Sequence, residues 1–260
     1  MELKIYQVDA FAEKLFTGNP AAVCPLLSWP SDETMKQIAM ENNLAETAFY
    51  VKEAEGYHIR WFTPAIEVDL CGHATLATAH VLFEHEDFSG HEINFKSRSG
   101  VLKVKRAGDY LTLDFPVDKY ELVKTPGELA ISLNIRPNEC YRGKTDYMLV
   151  FEKEEYIKKL KPNYTSMKLV DGRGVICTAK GNSVDFVSRF FAPQSGIEED
   201  PVTGSAHTTL TPYWSKVLGK KELTATQLSK RLGYLKCVDK GERIEISGRA
   251  RTYLTGHIEI

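Results

Sequence analysis

A chain of 260 residues with 43% hydrophobic and 26% charged content reads as a globular protein, long enough for one large domain or two of ordinary size. A net charge of -2 gives no reason to expect nucleic acid or an anionic membrane surface as partner, and no stretch approaches the roughly 20 apolar residues of a membrane helix. The N-terminus, MELKIYQVDAF, lacks the basic and apolar regions of a signal peptide, so a cytoplasmic location is expected.

In chain order, Leu3–Val8 reads as a strand, Thr17-Gly18-Asn19-Pro20 as a turn, and Ala21–Cys24 as a second strand stopped by Pro25. Ser31 and Asp32 offer N-caps for a helix from Glu33 to Asn42, with Met35, Ile38 and Ala39 on one face. A β-rich run follows at Leu44–Val51, then a strand at His58–Phe62 stopped by Pro64. His73–Phe83 is apolar or small nearly all round, the pattern of a buried helix. Strands at Glu92–Lys96, Val101–Arg106 and Tyr110–Phe115 are separated by Gly100 and Gly108-Asp109. Thr125-Pro126-Gly127-Glu128 reads as a capping box opening a helix to Leu133. Strands at Cys140–Gly143 and Tyr147–Glu152, a polar helix at Glu154–Leu160, and strands at Val175–Ala179 and Val184–Phe191 follow. A helix over Ser205–Leu218 is closed by Gly219, and Pro212 should kink it or mark its true start. The tail supplies strands near Leu223–Gln227, Tyr234–Val238, Arg243–Ser247 and Thr252–Ile260.

One stretch recurs. Phe62–Leu82 (FTPAIEVDLCGHATLATAHVL) and Phe191–Leu210 (FAPQSGIEEDPVTGSAHTTL) both run Phe-x-Pro, an acidic cluster ending in Asp, then Gly and a small-residue helix. Phe62, Asp69 and Gly72 match Phe191, Asp200 and Gly204, about half a chain apart. Strands flank both copies in the same order, which indicates an internal duplication. The expected fold is α+β: two pseudo-symmetric domains, 1–117 and 118–260, each a mostly antiparallel, barrel-like sheet around a central helix, with the active site in the cleft between them.

The first N–H groups of a helix lack internal partners and carry the positive end of its dipole. Gly72 and Gly204 permit sharp turns that leave those groups unobstructed, and His73 and Ser205 each add a side-chain donor. Two such ends would hold a carboxylate or a developing enolate. Glu46, in NLAETAF, lies among apolar residues that favour its neutral form and bring its pKa toward working pH, as a general acid/base needs. Asp200, held by Pro201 just before Gly204, can complement it or orient a substrate group; Asp69 is the weaker candidate. Cys71 precedes Gly72, but the second copy has no equivalent thiol, which disfavours a two-cysteine racemase. The five cysteines form no CxxC or metal-ligand spacing, so buried reduced thiols, no disulfide and no metal site are expected. No G-x-S-x-G, Walker A, H-E-x-x-H or dinucleotide fingerprint is present.

On VDAFAEKLFTGNPAAV, NLAETAF, RWFTPAIEVDLCGHATLATAHVL and EDPVTGSAH, the chain resembles the phenazine-biosynthesis PhzF-like family. The resemblance implies the diaminopimelate-epimerase-like fold and a cofactor-free, usually dimeric isomerase. It implies that Glu46 is the general acid/base, and it maps the family's site onto His73, Asp200, Gly204 and Ser205. Ala45 departs from the family's usual Ser before the motif Glu. The expectation is therefore an isomerase moving a proton on a small carboxylate-bearing substrate: Glu46, His73 and Asp200 catalytic, Gly72, Gly204 and Ser205 binding substrate, and no cofactor. The alternatives are an amino-acid racemase or epimerase on the same scaffold, and a small-acid binding protein without turnover.

Overall fold

The computed structural model describes residues 2–260. The first half of the chain runs β1 (Glu2–Ala10), β2 (Asn19–Leu26), α1 (Asp32–Asn42), β3 (Glu46–Glu53), β4 (Gly56–Phe62), β5 (Glu67–Val68), α2 (Gly72–His85), β6 (Glu92–Ser97), β7 (Gly100–Ala107) and β8 (Tyr110–Pro116). The second runs β9 (Glu121–Leu122), α3 (Gly127–Ile131), β10 (Glu139–Arg142), β11 (Asp146–Val150), α4 (Glu154–Lys159), α5 (Tyr164–Met167), β12 (Gly174–Lys180), β13 (Phe186–Ala192), β14 (Ile197–Asp200), α6 (His207–Leu218), β15 (Glu222–Gln227), β16 (Gly233–Asp239), β17 (Arg243–Gly248) and β18 (Ala250–Glu259).

Two compact units result: residues up to Asp114 together with Ser247–Ile260, and Phe115–Ile246. The expected boundary near 117 lies close to the break, but the assignment of 118–260 to one domain is corrected at its end. β18 returns to the first unit and pairs antiparallel with β1 from Glu2↔Glu259 to Ala10↔Ala250. Nine consecutive strand residues find their ladder partners there, which outweighs proximity in sequence.

The duplication reappears as hydrogen-bond topology. In the first unit β2 pairs parallel with β3, β3 antiparallel with β4, β4 parallel with β6, and β6 antiparallel with β7. In the second, β11 pairs parallel with β12, β12 antiparallel with β13, β13 parallel with β15, and β15 antiparallel with β16. Parallel partners need long crossovers. The β4-to-β6 and β13-to-β15 crossovers are the two copies of the repeated stretch, and each carries its helix.

α2 forms because Ala, Leu and Thr fill it and neither Gly nor Pro interrupts it after its first residue. It buries every residue from His73 to Phe83 except His80 and packs on β1, β2, β3, β7 and β18. A helix with no polar face must satisfy its hydroxyls internally. Thr75 and Thr78 donate to the carbonyls of Cys71 and Ala74, one turn back. His80 and His85 both meet the Thr252 hydroxyl on β18, at 2.9 and 2.8 Å.

α1 starts as expected, with the Ser31 hydroxyl accepting from the Thr34 N–H, and ends on Asn43 in the left-handed conformation. The capping box at Thr125 does not form: Pro126 is the N-cap of α3 and makes no side-chain cap bond. α6 begins at His207, two residues later than expected. Gly204, Ser205 and Ala206 form a tightened turn whose carbonyls accept from His207, Thr208 and Thr209, three residues on. Pro212 lies inside the helix without ending it. The Thr208 carbonyl that loses its partner to Pro212 accepts instead from the Asp118 N–H, at 3.3 Å. All five cysteines are free, and all are buried, the burial as expected.

Candidate active site

Glu46 is the first residue of β3, and His73 the second of α2. The structure brings them together inside the first unit: Glu46 Oε2 lies 3.1 Å from His73 Nε2, with side-chain exposures of 13% and 7%. The contact is charge pairing more than an aligned hydrogen bond, because neither atom meets a partner in hydrogen-bond geometry. On the ring's other side, the Asn19 amide nitrogen lies 3.3 Å from Nδ1. An amide there can serve a bare or a protonated ring nitrogen by turning over. Cys71 Sγ lies 3.5 Å from the same Nδ1.

Glu46 thus faces an imidazole partner that its sequence surroundings did not reveal. Burial alone would lower the His73 pKa, but the Cys71 sulfur and the Glu46 carboxylate more than reverse this and hold it well above its ordinary value. Burial raises the Cys71 thiol. The Glu46–His73 pair therefore holds a proton in a desolvated place, next to the start of α2. That start has no side-chain cap bond of ordinary geometry; the Ala74 N–H faces the Cys71 sulfur, and the N–H groups of Gly72 and His73 have no partner within the helix.

In the second unit, Asp200 ends β14 and accepts from the Thr203 hydroxyl at 2.6 Å. Gln227 of β15 braces the loop, receiving the Thr203 N–H (2.9 Å) and donating to the Asp200 carbonyl (2.8 Å). A side chain at Gly233 would lie 2.1 Å from Val202 Cγ2, so only glycine lets β16 approach this loop. Counted from the two motif glycines, Thr203 stands where the first copy has Cys71. Among the described residues, neither Gly72 nor Gly204 has a left-handed backbone, so a left-handed turn is not what glycine supplies there.

Two features escaped the sequence reading. First, each copy carries a half-buried Arg–Glu clasp. Arg60 of β4 grips Glu67 of β5 through two bonds of 2.7 Å, and Arg189 of β13 grips Glu199 of β14 at 2.7 and 2.9 Å. Each guanidinium also lies over the repeated Phe, 5.2 Å from the Phe62 centroid and 4.8 Å from that of Phe191. The clasp fixes the loop that delivers the helix start. Its signal is Arg-x-Phe followed by Glu, visible in both copies once they are aligned.

Second, Arg173, just before β12, donates 2.9 Å to Ser205 Oγ. It is held by both carboxylate oxygens of the buried Asp146 and lies over the Phe190 ring at 5.4 Å. Burial disfavours the Arg173 charge, but the bonds to Asp146 restore it and raise the pKa further. Because Ser205 Oγ accepts from a cation, its own O–H is left to donate elsewhere. The residue after each motif glycine is thus backed from the start of an adjoining strand: His73 by a carboxylate, Ser205 by a guanidinium.

The duplicated α+β frame that carries this acid–imidazole pair is that of an isomerase, as its relatives are named. The chain is a member of the phenazine biosynthesis-like (PhzC–PhzF) family, whose model matches residues 8–256. A Pseudomonas aeruginosa protein named an uncharacterized isomerase is 50% identical over the whole of both chains. The crystal structure of a PhzF family protein from Enterococcus faecalis is 47% identical, covers all of both chains and superposes with a TM-score of 0.98. More distantly, a hydroxyproline epimerase from Agrobacterium vitis with bound trans-4-hydroxy-L-proline shares the fold at 10% identity, with a TM-score of 0.61 over 99% of this chain and 92% of that one. Among the described residues no helix is long and apolar enough to cross a membrane.

Proposed function

We propose that the chain is a cofactor-independent isomerase that moves a proton on a small carboxylate-bearing substrate by general acid/base catalysis. The observation that carries this reading is the Glu46–His73 pair, buried and 3.1 Å apart beside the uncapped start of α2. Glu46 removes a proton from carbon next to the substrate's activating group and returns it one or more positions away. His73, kept cationic by its neighbours, orients the carboxylate and offsets the negative charge that develops as the proton moves.

The backbone N–H groups at Gly72–His73 and at Gly204–Ser205 hold the substrate carboxylate and the developing negative charge. Asp200, bonded by Thr203, orients a substrate amine or hydroxyl and relays protons. In this reading the enzyme is cytoplasmic and, as the family resemblance implies, a homodimer. The bound hydroxyproline of the distant epimerase supports a small carboxylate as the ligand class.

The test is incubation with a panel of small cyclic and acyclic amino and hydroxy acids in heavy water, read by NMR. Deuterium should enter at a migrated position, and Glu46→Gln should slow entry by about 10²–10⁴-fold. Full activity in Glu46→Gln would remove Glu46 from its role. Deuterium entry with inversion at one carbon would instead mark an epimerase, and retained ligand without exchange a binding protein.

A further inference from the structure

The cluster that performs the proposed proton transfer also has the make-up of a metal site. Glu46, Cys71 and His73 supply a carboxylate oxygen, a thiol sulfur and an imidazole nitrogen whose atoms lie within 4.8 Å of one another. Three different donors meet here because β3 starts and α2 starts at the same place: Glu46 opens the strand, Cys71 is the helix N-cap, and His73 follows two residues on. Tetrahedral zinc, with metal–ligand distances of about 2.0–2.3 Å, sets its donors roughly 3.3–3.6 Å apart.

The pairs on either side of the ring already lie near that spacing, at 3.1 Å for Glu46 with His73 and 3.5 Å for Cys71 with His73. A single ion uses one ring nitrogen, so the third donor must close on it by about 1 Å. Two of the donors are buried polar atoms without a partner in hydrogen-bond geometry, His73 Nε2 and Glu46 Oε2. His73 is itself more than nine-tenths buried, so a metal that displaces its Nε2 proton meets no competing water there.

We propose that a thiophilic divalent cation of the zinc type binds Glu46, Cys71 and His73 and reversibly silences the enzyme. Sulfur selects it: a carboxylate and an imidazole alone do not distinguish zinc from harder ions, whereas the thiolate favours a soft one and rejects magnesium or calcium. Binding replaces the protons of Cys71 and His73 by the metal and ties up the Glu46 oxygen. Three protein ligands leave a fourth position for water or a substrate carboxylate. The inhibitory half of this inference rests on the proton-transfer role given to Glu46, whereas the binding half does not.

The test uses the full chain in metal-free buffer with Co²⁺ as the spectroscopic probe. Expected are a near-ultraviolet thiolate-to-cobalt charge-transfer band saturating at one ion per chain, strong visible bands of tetrahedral cobalt, and loss of both when Zn²⁺ is added. Cys71→Ser should abolish the charge-transfer band, Cys24→Ser should keep it, and Glu46→Gln should weaken Co²⁺ binding about tenfold or more. Mass spectrometry should also show Zn²⁺ shielding Cys71, and no other cysteine, from alkylation. This second measurement stands even if a variant fails to fold. No saturable band in the wild-type chain, a band that survives Cys71→Ser, or alkylation of Cys71 undiminished by Zn²⁺ overturns the proposal. Because these readouts need no substrate, they separate its failure from failure of the isomerase reading.

Discussion

Replacing His207 with Asn should flatten the acid side of the stability curve. His207 is fully buried at the start of α6, and its Nδ1 donates to the Thr203 carbonyl at 2.9 Å. Burial pushes its pKa down from the ordinary 6.5 to about 4, against a smaller opposing effect of that bond. In the unfolded chain the ring titrates near 6.5. Between these values the unfolded state binds a proton that the folded state refuses, so stability falls as pH is lowered. Integrated from pH 7 to pH 4, this one ring costs about 3 kcal/mol. Asn keeps a donor for the Thr203 carbonyl and removes the ionisation. Urea unfolding at intervals across that range should therefore show the wild type losing about 3 kcal/mol more than the variant. Parallel curves would refute the reasoning. His73 supplies the opposite sign within the same chain. Its pKa is raised, so its contribution is present below pH 6.5 and lost as pH rises through the folded value. An NMR titration should find His73 protonating well above His207.

Three further outcomes are expected. Arg189→Met strands the half-buried carboxylate of Glu199 and should cost about 3–5 kcal/mol in urea unfolding, whereas the Arg189→Met/Glu199→Gln pair should cost less than the single change; a strictly additive pair would deny the clasp. Arg173→Met should weaken carboxylate binding by roughly 1.5–3 kcal/mol as a rise in KM on the substrate found by deuterium exchange. Ser205→Ala should then add little to it, since both act through one hydroxyl, and full additivity would separate them. Removing residues 247–260 should unfold the first unit, because β1 loses its long antiparallel partner; a truncated chain with wild-type circular dichroism and protease resistance would contradict this.

Much of the candidate site is legible in the sequence because it is local. Gly72-His73 and Gly204-Ser205 sit within single motifs, and the small-residue composition of His73–Phe83 dictates a helix that can only be buried. Glu46 was legible as a carboxylate out of place in an apolar run, but its partner was not. His73 lies 27 residues away, and the 3.1 Å contact exists because β3 and α2 begin side by side. Arg173 was invisible for the same reason: nothing in DGRG announces that its guanidinium reaches Ser205. The start of α6 was misplaced because helical composition at Ser205 and Ala206 does not distinguish a tightened turn from an α-helical one.

Sequence by itself determined the duplication, the two motif glycines with their donors, the buried helix and the candidate base, since each depends on residue types at short spacing. Tertiary structure alone decided the pairings between distant strands. It made the crossovers parallel, returned β18 to β1, closed the Arg–Glu clasps and put a proton-holding imidazole against Glu46. The physical reason is that strand pairing is satisfied by any complementary ladder, so composition limits the partners without choosing among them. In the first unit α2 packs on β1, β2, β3, β7 and β18 at once, and its start sets His73 against Glu46.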